Sequence, residues 1–286
     1  MGLPLLTVAP ARGLRWIAQG WALWRRRPLS LTGLLAAFLL LAMLLVGLVP
    51  LAGTALALAL VPSLSLGYMV AARSLQAGGP VHAGQLFAGL RHPRPAQRRA
   101  QWQLAGAYAL LSLGVMLLSD TLDGGRLQAA MAASADEGAA LPDTDALNDD
   151  GVAGALLLRL GLTALLAVPF WHAPALVHWG GQGALQALFS STVAVWRARQ
   201  AFTIYLLTWG ALVALVTPLL VLLLHALGGA SLPNLLMLPL ALVISAVFYA
   251  TLWPSYVDCF GEPGAAGATS ATPTAPDSDP PPADGA

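Results

Sequence analysis

Residues 21–49 read Trp-Ala-Leu-Trp-Arg-Arg-Arg-Pro-Leu-Ser-Leu-Thr-Gly-Leu-Leu-Ala-Ala-Phe-Leu-Leu-Leu-Ala-Met-Leu-Leu-Val-Gly-Leu-Val. A tryptophan–arginine segment, Trp21 to Arg27, runs into Pro28 and then into some twenty residues without a charge. A helix rises about 1.5 Å per residue, so such a run crosses a hydrocarbon core of about 30 Å. Comparable apolar stretches recur along the chain: 30–49, 51–72, 102–119, 152–170, 202–227 and 232–256. The chain reads as an all-α membrane protein with six transmembrane helices and two cytoplasmic-face amphipathic interfacial helices.

Composition agrees. Hydrophobic residues make up 57% of the 286 and charged residues only 9%, against about a quarter charged in a soluble domain. The net charge of +1 and the scattering of arginine into short clusters argue against a nucleic-acid partner. Cys259, the single cysteine, excludes an intramolecular disulfide and a cysteine-based zinc cluster. Every basic residue is arginine, a bias of the kind GC-rich bacterial genomes produce. The apolar run after Arg27 exceeds a signal-peptide core and lacks a small-x-small cleavage site, so the first span is expected to stay in the mature protein.

Arginine placement orients the spans. Arg12, Arg15, Arg25, Arg26 and Arg27 precede span one; Arg73, Arg91, Arg94, Arg98 and Arg99 lie between spans two and three; Arg197 and Arg199 precede span five. An N-terminus inside puts these twelve of the fourteen arginines in the cytoplasm. The segment 120–151 carries eight of the thirteen acidic residues and is expected in the periplasm. The reading is therefore a bacterial inner-membrane protein with both termini cytoplasmic. Between spans one and two, Pro50 and Gly53 permit a tight turn; a re-entrant pair fits the same residues.

Outside the spans, segment 1–28 is basic and amphipathic. Leu14, Ile17, Trp21 and Trp24 fall at helical spacing, while Arg12, Arg15, Gln19 and Arg26 share another face. Tryptophan beside arginine suits the headgroup boundary, and anionic headgroups are the expected partners, with a membrane-protein partner as an alternative. A second such helix is expected over about 183–199, with Leu185, Leu188, Phe189, Thr192 and Trp196 as its stripe. Its end, Val193 to Arg199, echoes Trp21 to Arg27. That echo fits an internal repeat of one interfacial helix plus two spans, or convergence of juxtamembrane segments on Trp and Arg. Residues 258–286 are Ala-, Gly-, Pro- and Ser-rich and are expected to form a disordered cytoplasmic tail.

The motif Arg12-Gly-Leu-Arg-Trp16, the run Trp24-Arg-Arg-Arg-Pro-Leu-Ser-Leu31, the stretch Trp171-His-Ala-Pro-Ala-Leu-Val177 and the signature Ala187-Leu-Phe-Ser-Ser-Thr-Val-Ala-Val-Trp-Arg197 resemble a proteobacterial family of six-span inner-membrane proteins with no assigned activity. The resemblance spans roughly residues 5–257 and implies the architecture, not a reaction. One departure is Ala198, where that family often has Asn.

Candidate chemistry is sparse. Arg159 lies inside span four, some seven residues or about 10 Å below its periplasmic end at 1.5 Å per residue. An intramembrane charge faces protein or water, and Asp120 is the nearest acid, so Arg159 reads as a clamp between spans three and four or as an anchor snorkelled toward the interface; an anion or headgroup contact in a cavity is the alternative. His172 and His178 lie on different helical faces with Pro174 between them, which disfavours a metal and suits interfacial residues. Asp143 to Gly151 fails the EF-hand pattern, because Ala146 and Leu157 stand where acids belong. Neither Ser190 nor Ser191 sits in a nucleophile motif. No cofactor is expected. Gly106, Gly114, Gly154 and Gly161 are expected to allow close helix approach. Two functions fit: a non-enzymatic module organising lipid or partner proteins, or a transporter or channel whose cavity uses Arg159 and spans broken at Pro62 and Pro239.

Overall fold

The computed structural model describes residues 5–136, 150–226 and 232–263. Their regular structure is entirely helical: α1 Arg12–Arg26, α2 Pro28–Leu48, α3 Pro50–Ala59, α4 Val61–Gln76, α5 Pro95–Asp123, α6 Arg126–Asp136, α7 Asp150–Phe170, α8 Ala173–His178, α9 Ala184–Arg197, α10 Arg199–Ala226, α11 Leu232–Ala250 and α12 Leu252–Phe260, with a short 3₁₀ turn at Ala83–Phe87. Six segments have the length and apolarity of membrane spans: Pro28–Leu48, Pro50–Gln76, Pro95–Asp123, Gly151–His178, Arg199–Val216 and Leu236–Phe260. Exclusion of water from the bilayer core explains the choice of helix, because each backbone group must find its partner within its own segment.

Spans one and two form a hairpin with Val49 as its single joint. Pro50 occupies the first turn of α3, where its missing N–H would have no partner anyway. The two helices touch at Gly53, where an added Cβ would collide with the Leu45 carbonyl. Helix α2 has 21 residues, about 31 Å of helix.

Pro62 and Pro239 were expected to break spans two and six. Pro62 sits just after the α3–α4 joint at Leu60 and is buried. Pro239 is a correction. Helix α11 runs through it without interruption, and the side chain is exposed on the outside of the bundle. At that depth the cost of unpairing more backbone than one missing N–H keeps the helix going. Span six breaks instead at Thr251, ahead of Pro254, where the Thr251 hydroxyl takes part in bonds to Phe248 O at 2.6 Å and the Tyr205 hydroxyl at 2.6 Å.

Helix α1 corrects the expected stripe. The face that packs on the bundle is Gly13, Trp16, Gly20 and Leu23, one position round from Leu14, Ile17, Trp21 and Trp24. Backbone proximity explains the shift. An added Cβ at Gly13 would strike the Ala201 carbonyl on α10, and one at Gly20 would meet the Val247 carbonyl at 3.0 Å. Trp16 fills the space between them, fully buried against Phe202 and Tyr205 at ring separations of 5.0 and 5.9 Å. Leu14 and Trp21 are left exposed. In α9 the small residues Ala187, Ser191 and Ala194 likewise face the bundle, while Leu185, Phe189 and Trp196 face out.

Close approach therefore runs through Gly13, Gly20, Gly53 and Gly67. Gly106, Gly114, Gly154 and Gly161, expected in that role, have nothing within 4 Å of an added Cβ and face open space. A further correction concerns the C-terminal boundary. Helix α12 continues to Phe260, and Leu6 N donates to Cys259 O at 2.9 Å, so residues 258–260 belong to the bundle. The described end of the acidic segment is also ordered: Gly124 and Gly125, both at positive φ, turn the chain from α5 into α6, and Asp123 accepts from Gly125 N at 2.7 Å. The EF-hand-like residues 143–149 and the tail beyond 263 lie outside the described residues.

Element order repeats once. A helix of 15 residues (α1), a one-residue joint, a long helix and a broken helix are matched by a helix of 14 (α9), the joint Ala198, α10, and the broken pair α11–α12. Packing does not follow the repeat. Helix α1 lies against α10 and α11, while α9 lies chiefly against α7 and α8.

Candidate functional site: a cleft at the arginine-bearing end

The polar face expected on α1 does not simply meet solvent. Arg12, Gln19, Leu23 and Arg26, spaced along one side of α1, form one wall of a half-open cleft of about 240 Å³. Trp253, Pro254, Val257 and Asp258 of α12 form the opposite wall, and Gln76 at the end of α4 and Glu262 close it.

One wall is tied to the other. Arg12 is ion-paired with Asp258, through Nη2 to Oδ1 and Nε to Oδ2 at 2.5 Å. The Trp16 indole donates to Asp258 Oδ2 at 2.7 Å. Asp258 holds the Arg12 guanidinium further above its ordinary value, through the hydrogen bond first, with partial burial opposing. Behind the cleft the Trp253 indole donates to Gln76 Oε1 at 2.7 Å. Arg73 lies over the rings of Trp179 and Trp253 at 5.6 and 6.0 Å and donates to Pro263 O at 3.1 Å. The Trp253 ring also stacks on Tyr256.

Exposed arginines of this end include Arg15, Arg25, Arg26, Arg27, Arg197 and Arg199. Trp21, 44% exposed, stacks on Trp24 with centroids 4.9 Å apart, and Trp24 donates to Thr32 Oγ1 at 3.0 Å. Trp196 is 69% exposed with Arg199 over its ring at 5.7 Å.

Arg159 and Asp120 meet at the opposite end. Arg159 Nη2 pairs with Asp120 Oδ1, and Nε reaches the buried Ser119 Oγ at 3.4 Å. This links α5 to α7. Pro62 lines a separate aromatic cavity of about 110 Å³ with Tyr108, Trp171 and Tyr249, and that cavity includes neither Pro239 nor Arg159.

The histidines are a correction as interfacial residues. His172 is fully buried: its backbone N–H donates to Ser191 Oγ at 3.0 Å and Nε2 lies 3.2 Å from Ser255 Oγ. Pro174 starts α8 just after it and turns the chain inward. The ring contacts Ser255, not Ser191, and Ser255 Oγ donates onward to Leu252 O at 2.9 Å, so both serines hold backbone. His178 packs edge-on to His92, 4.8 Å between centroids. Nδ1 of both His172 and His178 is buried without a partner among the described residues.

Sequence reasoning missed Trp16, Trp253, Asp258 and Glu262. The signal for the two acids was present: the first 119 residues contain no carboxylate, so an acid beside the arginine-bearing end stands out.

Over 265 residues the chain is 38% identical to a probable inner membrane protein of Burkholderia thailandensis, covering 92% of this chain and 97% of that one. It belongs to that protein's family. No family model matches the chain, and no solved structure matches it. With six apolar helices of spanning length, this member of the family is a multi-pass inner-membrane protein.

Proposed function

We propose that the protein is a non-enzymatic module that gathers anionic lipid at the cytoplasmic face of the inner membrane. The observation that carries this is the exposure of Arg15, Arg25, Arg27, Arg197 and Arg199 beside the outward-facing rings of Trp21 and Trp196 on two helices of one end. Indole rings seat at the headgroup level, and each arginine near an anionic surface contributes about 1 kcal/mol. Arginine bias assigns that end, and with it both termini, to the cytoplasm. Transport has less support, because neither Pro239 nor Arg159 lines the cavity at Pro62, which is small and largely apolar.

The test is lipid enrichment. Protein reconstituted in nanodiscs of mixed phosphatidylglycerol and phosphatidylcholine is assayed by native mass spectrometry. Replacing Arg25, Arg27 and Arg197 together by Gln is expected to lower phosphatidylglycerol enrichment by about tenfold or more, screening included. Unchanged enrichment in the triple variant sinks the reading.

A further inference from the structure

The charges of the α1–α12 cleft are balanced: Arg12 and Arg26 against Asp258 and Glu262. Arg12 and Asp258 satisfy each other, which leaves Arg26 and Glu262, and neither makes an ion pair with a described residue. A net anion gains little from a neutral lining, whereas a ligand that carries both signs answers both free groups. At about 240 Å³ the cleft is below the range of drug-sized pockets and suits a headgroup-sized occupant.

We propose that this cleft binds the headgroup of a zwitterionic lipid bearing a primary amine, its phosphate on Arg26 and its ammonium on Glu262. Resting on the lipid-organising reading, the proposal adds a selective site to a non-selective basic surface. Guanidinium pairs with phosphate through two N–H groups, and an ammonium offers three N–H donors to carboxylate and amide oxygens. Gln19 on the cleft wall supplies a further polar group. A choline headgroup lacks those donors and needs an open aromatic face instead. Trp253, which lines the cleft, has no such face to give, because Arg73 lies over its ring and Trp179 and Tyr256 pack on it.

The experiment uses the full chain in nanodiscs of phosphatidylcholine doped with phosphatidylethanolamine or phosphatidylglycerol, with bound lipids counted by native mass spectrometry. Phosphatidylethanolamine is expected to be retained about tenfold over phosphatidylcholine, the equivalent of one charge-assisted contact. Glu262→Gln is expected to abolish that preference and leave phosphatidylglycerol enrichment intact. The variant with Gln at positions 25, 27 and 197 is expected to do the reverse, so failure of the cleft and failure of the basic surface are separable. Equal retention of ethanolamine and choline lipids, or a preference that survives Glu262→Gln, overturns the proposal. Soluble phosphoethanolamine that displaces the lipid completely at equal concentration overturns its assignment to a lipid. Glu262 lies beyond α12 and off the buried core, and unchanged thermal unfolding of the variant shows that it folds.

Discussion

Trp16 shows how much one side chain can organise. It fills the gap between the two glycine contacts of α1, meets Phe202 and Tyr205 with its faces and edge, and spends its N–H on Asp258. Asp258 then serves two donors, and removing its charge leaves Arg12 half-buried without a counter-ion. Asp258→Asn is expected to lower stability by about 2 kcal/mol, read as a fall in thermal unfolding temperature in detergent. Arg12→Gln should cost less on top of Asp258→Asn than alone, since the two share one interaction; strict additivity in the double-mutant cycle would refute the coupling. At the other end Arg159→Leu strips Asp120 of its partner. Asp120 is a third exposed, so a loss of about 1 kcal/mol is expected. Normal unfolding behaviour of that variant would remove the clamp role.

Among the elements, α1 is the one whose packing departs most from its sequence pattern. Its apolar residues at 14, 17, 21 and 24 suggested the buried stripe. The buried stripe is instead the one with two glycines, because helices whose backbones touch exclude side chains from the contact. Gly13→Ala is therefore expected to destabilise by about 2 kcal/mol through overpacking against the Ala201 carbonyl. Gly161→Ala, on open helix surface, is expected to be neutral or stabilising by about 0.5–1 kcal/mol. Thermal unfolding of the two single variants checks both signs, and a destabilised Gly161→Ala would mean that α7 has a contact there. The rule that small residues mark close approach held in kind and failed in place. A small residue permits contact, but only the facing helix decides whether contact is made.

For the whole molecule, connectivity and charge work together. Two hairpin-like pairs of spans, α2 with α3–α4 and α10 with α11–α12, each start and end at the arginine-bearing end. The Arg12–Asp258 pair closes the bundle on itself there. If that end is cytoplasmic, a fluorescent protein fused after residue 286 will mature in cells, while alkaline phosphatase fused after residue 140 will be active. Phosphatase activity at the C-terminal fusion would invert the topology.

The sequence alone determined the six spans, the helical class and the segregation of arginine to one end. Each follows from the lipid solvent, which forces about twenty apolar residues per crossing and penalises charge within it, and both are local properties of the chain. Which face of α1 is buried and how Arg12 finds Asp258 were not legible in the sequence. Those two residues stand 246 positions apart, and nothing local to either names the other. The cleft exists because glycine contacts set the height and rotation of α1 against α10 and α11. Only the folded bundle brings the carboxylates at the end of span six opposite the arginines preceding span one.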